Sequence, residues 1–124
     1  MGLNCSHGAF DGAYSAFHRF RGAVCSAAGG VWDIEGRWEI PEEIYNANDG
    51  IVELLSHSDC DGEITPQMCL KVADDLEKLL PIIDANDSCG VGHIARDGGF
   101  GAVTRKFIAG CREAAKLGEP LGFS

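Results

Sequence analysis

The chain has 124 residues, of which 19 are acidic and 10 are basic, and its formal net charge is −9. A chain of this length buries enough surface for one modest core, so we expect a single globular domain over residues 1–124. A hydrophobic share of 45% is ordinary for a globular protein and excludes a disordered or fibrous chain. No apolar run approaches the roughly 20 residues of a membrane span, and the acidity argues against a protein that binds duplex nucleic acid.

The N-terminal segment, MGLNCSHGAF, lacks the basic and apolar regions of a secretory signal. The sequence therefore predicts a cytoplasmic protein of a bacterial or infected host cell. In such a compartment the six cysteines are expected to be thiols and not disulfides, and the absence of any CxxC pair agrees with this.

Apolar residues at helical spacing predict a first helix over residues 11–28, with Asp11 as its N-cap and Gly29-Gly30 as its stop. Two aromatic and branched runs around Glu35-Gly36 predict a β-hairpin over residues 31–40. Gly22 interrupts the first helix at a cost of about 1 kcal/mol, which suggests that a second helix approaches it closely.

The next segments, in chain order, are one helical turn at residues 41–45, a loop at 46–50 and an apolar run at 51–55 that fits either helix or strand. Thr65-Pro66 then predicts the start of a second helix, because a hydroxyl N-cap precedes a proline at the first helical position. Pro81 is expected near the end of this helix.

A surface loop is expected over residues 84–92, and Gly98-Gly99 precede a third helix that ends at Gly118. Thr104 is expected to face water, and Gly110 to lie against another helix. The predicted fold is mainly α with a minor β-hairpin, an α+β class, with three amphipathic helices and an EF-hand-like loop before the second.

The negative charge is concentrated in the middle of the chain. Ten acidic residues and a single base, Arg37, lie between Val31 and Glu63, whereas residues 1–30 and residues 97–124 are each slightly basic. The acidic stretch is a solvated surface, a cation site or a docking face for a basic protein partner. The flanking segments remain compatible with an anionic ligand.

The segment SHSDCDGEIT resembles an EF-hand calcium loop in its spacing. Asp59 and Asp61 fall on the third and fifth ligand positions, Gly62 falls on the turn glycine, and His57 replaces the first aspartate. Met68 replaces the bidentate glutamate that calcium requires at the twelfth position. The segment is therefore either a turn whose aspartates cap the next helix, or a weak site for calcium or another divalent cation with the candidate ligands His57, Asp59, Asp61 and Glu63.

A zinc site is an alternative interpretation of the same loop. His57, Cys60, Cys89 and His93 form two short-spaced pairs, which is the arrangement that tetrahedral zinc accepts.

Two predicted helix starts suit an anion, because free amides and the positive end of the helix dipole lie there. At the first helix, His7, Asp11 and Tyr14 are the candidate ligand-binding residues; the simpler interpretation is an N-cap beside a loop histidine. A nucleophile pair of His7 with Cys5 or Ser15 is also conceivable, although the sequence marks no third, orienting group.

The second anion-binding candidate precedes the third helix. Glycines let backbone amides approach a phosphate, and an arginine binds phosphate in a bidentate manner. The segment lacks the lysine of a P-loop, so a plain loop-to-helix junction remains open. Its candidate residues are His93, Arg96, Gly98 and Gly99.

Three motifs, HGAFDGAYSAFHRFR, SHSDCDGEI and FIAGCREAAKLGEPLGF, resemble those of a family of short proteins from phages and actinobacterial genomes. The likeness covers most of the chain and is least characteristic over residues 31–50 and 84–90. The resemblance implies a bacterial or phage setting and supplies no mechanism. Small phage proteins often sequester host factors, including nucleotide signals of host immunity.

The sequence therefore predicts a non-enzymatic protein that binds a small anionic, nucleotide-like ligand. By binding it, the protein would sequester a signal of host immunity. One alternative is an acidic interaction module that docks on a basic host protein through Glu39, Glu42 and Glu43. Another is a metal-dependent hydrolase that uses His57 and Asp59 with Asp61. Assembly as a homo-oligomer is compatible with each.

Overall fold

The computed structural model describes residues 2–33, 35, 37–86 and 98–124. Within these residues the protein is mainly α with small antiparallel sheets, as the sequence predicts. The helices are α1 (Tyr14–Ala27), α2 (Glu42–Ala47), α3 (Asp49–Ser56), α4 (Pro66–Ala85) and α5 (Phe100–Leu117). The strands are β1 (Gly2–Cys5), β2 (Phe10–Ala13), β3 (Val31–Trp32), β4 (Trp38–Glu39), β5 (Glu63–Ile64) and β6 (Leu121–Gly122).

The chain begins with a β-hairpin that the sequence analysis missed. β1 pairs antiparallel with β2 in a register that sets Asn4 opposite Asp11. Alternation along both strands buries Leu3, Cys5 and Phe10 and leaves Asp11 exposed. The prediction that Asp11 is the N-cap of the first helix is therefore wrong: period-two burial takes this segment into a strand, and α1 begins at Tyr14.

The predicted second hairpin is confirmed, with Trp32 opposite Trp38 across β3 and β4. The predicted loop at residues 46–50 is wrong except at Asn48, because α2 continues to Ala47 and α3 already begins at Asp49. The Gly50 amide donates to the buried Asp75 carboxylate at 2.8 Å. A Cβ at Gly50 would lie 2.4 Å from the Lys71 carbonyl oxygen, so only glycine lets α3 approach α4 this closely.

The start of α4 is as predicted, since the Thr65 hydroxyl accepts a hydrogen bond from the Met68 amide. The helix does not stop near Pro81, however, and continues to Ala85. Pro81 is exposed, and burial of Ile83 stabilises the turn beyond it. The loop expected at residues 84–92 thus begins two residues late, and its remaining positions from 87 lie outside the described residues.

α5 packs antiparallel to α4, as three ion pairs show: Arg105 with Asp84, and Arg112 with Asp74 and Glu77. Gly118 caps α5 in the left-handed conformation, as predicted. Thr104 does not face water: it is fully buried, and its hydroxyl donates to the Phe100 carbonyl at 2.7 Å.

Close approaches do occur at the two helix-interrupting glycines, but no helix makes them. A Cβ at Gly110 would lie 2.5 Å from that of Ala9, and one at Gly22 would lie 2.9 Å from the Trp32 ring. The core between α1 and α5 is a ring cluster in which Phe20 and Phe107 lie 5.5 Å apart. None of the described helices is long and apolar enough to cross a membrane.

Candidate functional site: a cleft beside the first helix

The two anion sites expected at helix starts lie at opposite ends of α5. The turn that contains His7 packs through Ala9 against Gly110. Gly110 is eleven residues along the helix axis from Gly99, a separation of about 16 Å. His93 and Arg96 lie outside the described residues. The structure therefore does not combine His7, Asp11 and Tyr14 with Gly98 and Gly99 into one site.

The acidic loop over residues 57–63 is occupied by the protein's own groups. Nδ1 of His57 lies 2.8 Å from the Ser58 carbonyl oxygen and its Nε2 lies 3.2 Å from that of Glu63. The same ring stacks on Phe123 with centroids 4.1 Å apart, and the Phe123 amide donates to the Gly62 carbonyl. The loop is thus fastened to the C-terminal segment by a histidine that we expected to bind a cation.

A cation does approach this loop, and it is Arg21. The guanidinium Nη1 donates to the His57 carbonyl at 2.6 Å, and the residue is only 7% exposed. Burial lowers the pKa of Arg21, while the nearby Asp59 carboxylate opposes that effect.

Within residues 2–33, 37–86 and 98–124, no three His, Cys, Asp or Glu side chains are grouped as a metal ion needs. His57, Asp59, Asp61 and Glu63 are therefore not grouped as a cation site in the described structure, and the metal-dependent hydrolase stays a prediction. Of the zinc candidates, Cys89 and His93 lie outside the described residues. The five cysteines within the described residues are free thiols.

A cleft runs between α1, the C-terminal end of α4, the start of α5 and β3. It has a narrow part of about 140 Å³ and an adjoining wide part of about 410 Å³. Both parts are lined by Ala23, Ser26 and Phe100; the wide part adds His18, Arg19, Gly22, Gly30 and Trp32, and the narrow part adds Ala27, Ile82, Ile83 and Asn86. No described lining residue is acidic, although the whole chain has a net charge of −9.

Arg19 is the one charged side chain among those lining residues. It is half-buried, and its Nε is shielded from solvent with no hydrogen-bond partner. A buried donor without an acceptor costs about 1–3 kcal/mol. The cleft thus contains a cation whose hydrogen-bonding capacity is not used by the described protein.

His18 and Trp32 form a second polar pair in the wide part. Nε1 of Trp32 donates to Nε2 of His18 at 3.0 Å, and the two rings lie 5.0 Å apart. Because an indole N–H can only donate, Nε2 must be the acceptor, and neutral His18 then has its proton on Nδ1. The imidazole therefore contributes a further donor to the cleft.

The sequence analysis did not identify His18, Arg19 or Trp32 as site residues. The only signal for them was the slight positive charge of residues 1–30 within an acidic protein. Trp32 was assigned to the hairpin for its β-propensity, and nothing in the sequence indicates that this hairpin folds back on α1.

The acidic surface around β4 and α2 adjoins the cleft at Gly30, which lines both. Glu39, Glu42 and Glu43 are exposed there, next to Val31 and Tyr45, which are 70% and 49% exposed. Docking of a basic protein at this surface stays a prediction.

The chain matches no protein-family model, no curated protein and no solved structure with which it was compared. The chemistry of the cleft therefore has to be inferred from the residues that line it. These residues supply hydrogen-bond donors, one cation and aromatic rings, and none of the described lining residues is acidic.

Proposed function

We propose that the protein binds a small anionic ligand with a planar ring, of the nucleotide class, in the cleft beside α1. The observation that supports this most directly is the half-buried guanidinium of Arg19, whose Nε has no partner in a cleft without described acidic residues. A phosphate or carboxylate supplies the missing acceptors, and arginine binds such groups in a bidentate manner.

The remaining lining residues match the rest of such a ligand. Trp32 contributes aromatic surface to the lining, against which a base can pack. Anionic and aromatic parts of one ligand thus have partners within a single concavity.

In this proposal the protein binds its ligand without transforming it. In the bacterial or phage setting that the resemblance implies, binding inside the cell would withdraw a nucleotide signal of host immunity from its receptor. The slight positive charge of residues 1–30, which supply most of the wide part of the cleft, favours entry of an anion beside α1.

Calorimetric titration with a panel of mononucleotides, cyclic dinucleotides and inorganic phosphate tests the proposal. We expect at least one nucleotide to bind, and Arg19→Met to weaken that binding about 10- to 100-fold, because a hydrogen bond to a charged group contributes about 1.5–3 kcal/mol.

The matched control is Lys116→Met, which removes one positive charge at the far end of α5 and should leave the affinity unchanged. Folded protein that binds no member of the panel, or an Arg19→Met variant that binds as tightly as the wild type, contradicts the proposal.

A further inference from the structure

Ser6, His7 and Glu119 form a hydrogen-bonded chain on the side of the molecule away from the cleft. The Ser6 hydroxyl lies 2.7 Å from Nδ1 of His7, and Nε2 of His7 lies 2.8 Å from a carboxylate oxygen of Glu119. The Gly122 amide donates to the Ser6 hydroxyl oxygen at 2.8 Å. Glu119 is 112 residues from His7 in sequence, so only the fold brings the three together.

The direction of each hydrogen bond follows from the chemistry of the groups. An ionised Glu119 can only accept, so Nε2 of His7 is the protonated nitrogen of the neutral ring. Nδ1 then has a lone pair, and the Ser6 hydroxyl donates to it. This is the order of a nucleophile, a base and an orienting carboxylate, with the two ring nitrogens exchanged relative to the common serine–histidine–acid arrangement.

The backbone of His7 supports a functional interpretation. His7 has φ 60° and ψ 20°, and it is the one non-glycine residue with positive φ among those the structure describes. Such a conformation costs about 1–3 kcal/mol and concentrates at functional sites. It directs the imidazole toward both Ser6 and Glu119.

The turn that contains Ser6 is partly open to solvent. Ser6 is half-buried, and a Cβ added at Gly8 would meet no other atom within 4 Å. The imidazole is 14% exposed, which shields it partly from water while its edge remains reachable.

The two nucleophile pairs considered from the sequence are not formed. Burial raises the pKa of Cys5 to about 12, so its thiol stays protonated at neutral pH. Ser15 lies exposed in the first turn of α1, and it makes no hydrogen bond to His7. Ser6, which was not considered, is the hydroxyl that His7 contacts.

We propose that Ser6 is a nucleophile, activated by His7 and Glu119, that cleaves small activated acyl esters. Ser6 Oγ forms a bond to the ester carbonyl carbon while its proton passes to Nδ1 of His7. The carbon–oxygen bond to the leaving alcohol then breaks, and the alcohol takes that proton. Water then attacks the acyl carbon and gives a proton to Nδ1 of His7. The bond between the acyl carbon and Ser6 Oγ breaks, Oγ takes that proton, and the carboxylic acid leaves.

The test combines p-nitrophenyl acetate hydrolysis with labelling by a fluorophosphonate, followed by peptide mass spectrometry of the intact chain. We expect a covalent adduct on Ser6 and its loss in Ser6→Ala, with Ser15→Ala as the matched control that keeps both. His7→Asn should slow labelling at least 100-fold, since a positioned base contributes about 10²- to 10⁴-fold.

Asparagine is chosen at position 7 because it tolerates positive φ, so this variant keeps the turn. Glu119→Gln, at a side chain that is 56% exposed, serves as the second variant and should slow labelling about 10-fold while the protein stays folded. Folded wild-type protein without an adduct, an adduct on another residue, or equal labelling of His7→Asn overturns the proposal.

Discussion

Arg19 and Arg21 lie two residues apart on α1 and differ in the contacts that their guanidinium groups make. Arg21 is buried, donates to the His57 carbonyl, and lies against the rings of Phe17 and Trp32 at 4.9 and 5.3 Å. Arg19 is half-buried and lines the cleft. The Nε of both arginines is shielded from solvent without a partner, so the two differ in the carbonyl acceptor and the ring contacts that only Arg21 has.

The difference separates a structural cation from one available to a ligand. The acidic loop looks like a cation site in the sequence, but it already has the guanidinium of Arg21 next to it. The cleft has the opposite character, because it has a cation and no described anion. A charged residue is informative about binding when the folded protein leaves it without a partner.

The largest expected effect is on stability and concerns Arg21, which contacts the acidic loop over residues 57–63. Arg21→Met removes a charge-assisted hydrogen bond and the ring contacts, and should lower the free energy of unfolding by about 2–3 kcal/mol. Arg19→Met should not lower it and should raise it by about 1 kcal/mol or more, because no described contact is lost and a shielded donor without an acceptor is removed. Urea unfolding of both variants measures the difference, and equal stabilities would remove the distinction between the two arginines.

An intermediate effect is expected at Trp32, which lies against Arg21 and also lines the cleft that contains Arg19. Trp32→Phe keeps a ring beside Arg21 but loses the N–H that donates to His18, so we expect a loss of about 1 kcal/mol. Trp38→Phe is the control, since Trp38 stacks on Tyr45 with centroids 6.5 Å apart and packs on the core, while no side-chain hydrogen bond of Trp38 is found among the described residues. If urea unfolding shows the two variants to be equally stable, the hydrogen bond to His18 does not hold the cleft wall.

The smallest effect is a pH dependence in the turn that follows Trp32. The pKa of Asp33 is lowered mainly by the hydrogen bond from the Arg37 side chain and, to a smaller extent, by the hydrogen bond from the Arg37 backbone amide. The stabilisation from this carboxylate is therefore fully present above its ordinary pKa of about 3.9. It is lost as the pH falls through the lower value of the folded protein.

The measurement is the difference in urea midpoint between the wild type and Asp33→Asn. This difference should be constant from neutral pH to about pH 5 and should shrink at lower pH, since the ordinary pKa is about 3.9. A difference that grows on acidification would contradict the assigned sign.

Much of the fold could be predicted because its signals are local. Thr65-Pro66 marks a helix start and Gly118 a helix end through backbone chemistry alone, and both are observed. The first hairpin was missed because Asp11 satisfies the composition of an N-cap, while its strand assignment depends on pairing with Asn4. Pro81 was misjudged for a related reason, since burial of Ile83 in the next turn stabilises a helix that proline alone would end.

The candidate sites were less predictable than the fold. Trp32 reaches His18 only because the second hairpin folds back over Gly22. Glu119 reaches His7 only because the C-terminal segment returns to β1, where Asn4 and Ser124 exchange backbone hydrogen bonds. Such contacts depend on chain reversals whose geometry is set by packing, and no residue spacing encodes them.

The sequence by itself determined the mainly α class, the helix boundaries that caps mark and the concentration of negative charge between Val31 and Glu63. Only the tertiary structure decided which charges are neutralised within the protein and which are not. Helix and turn propensities act over a few residues, whereas the partner of a charged side chain is chosen by long-range packing. For this reason the loop with ligand-like spacing proved to be in contact with Arg21, and the cation without a described acceptor was found at Arg19.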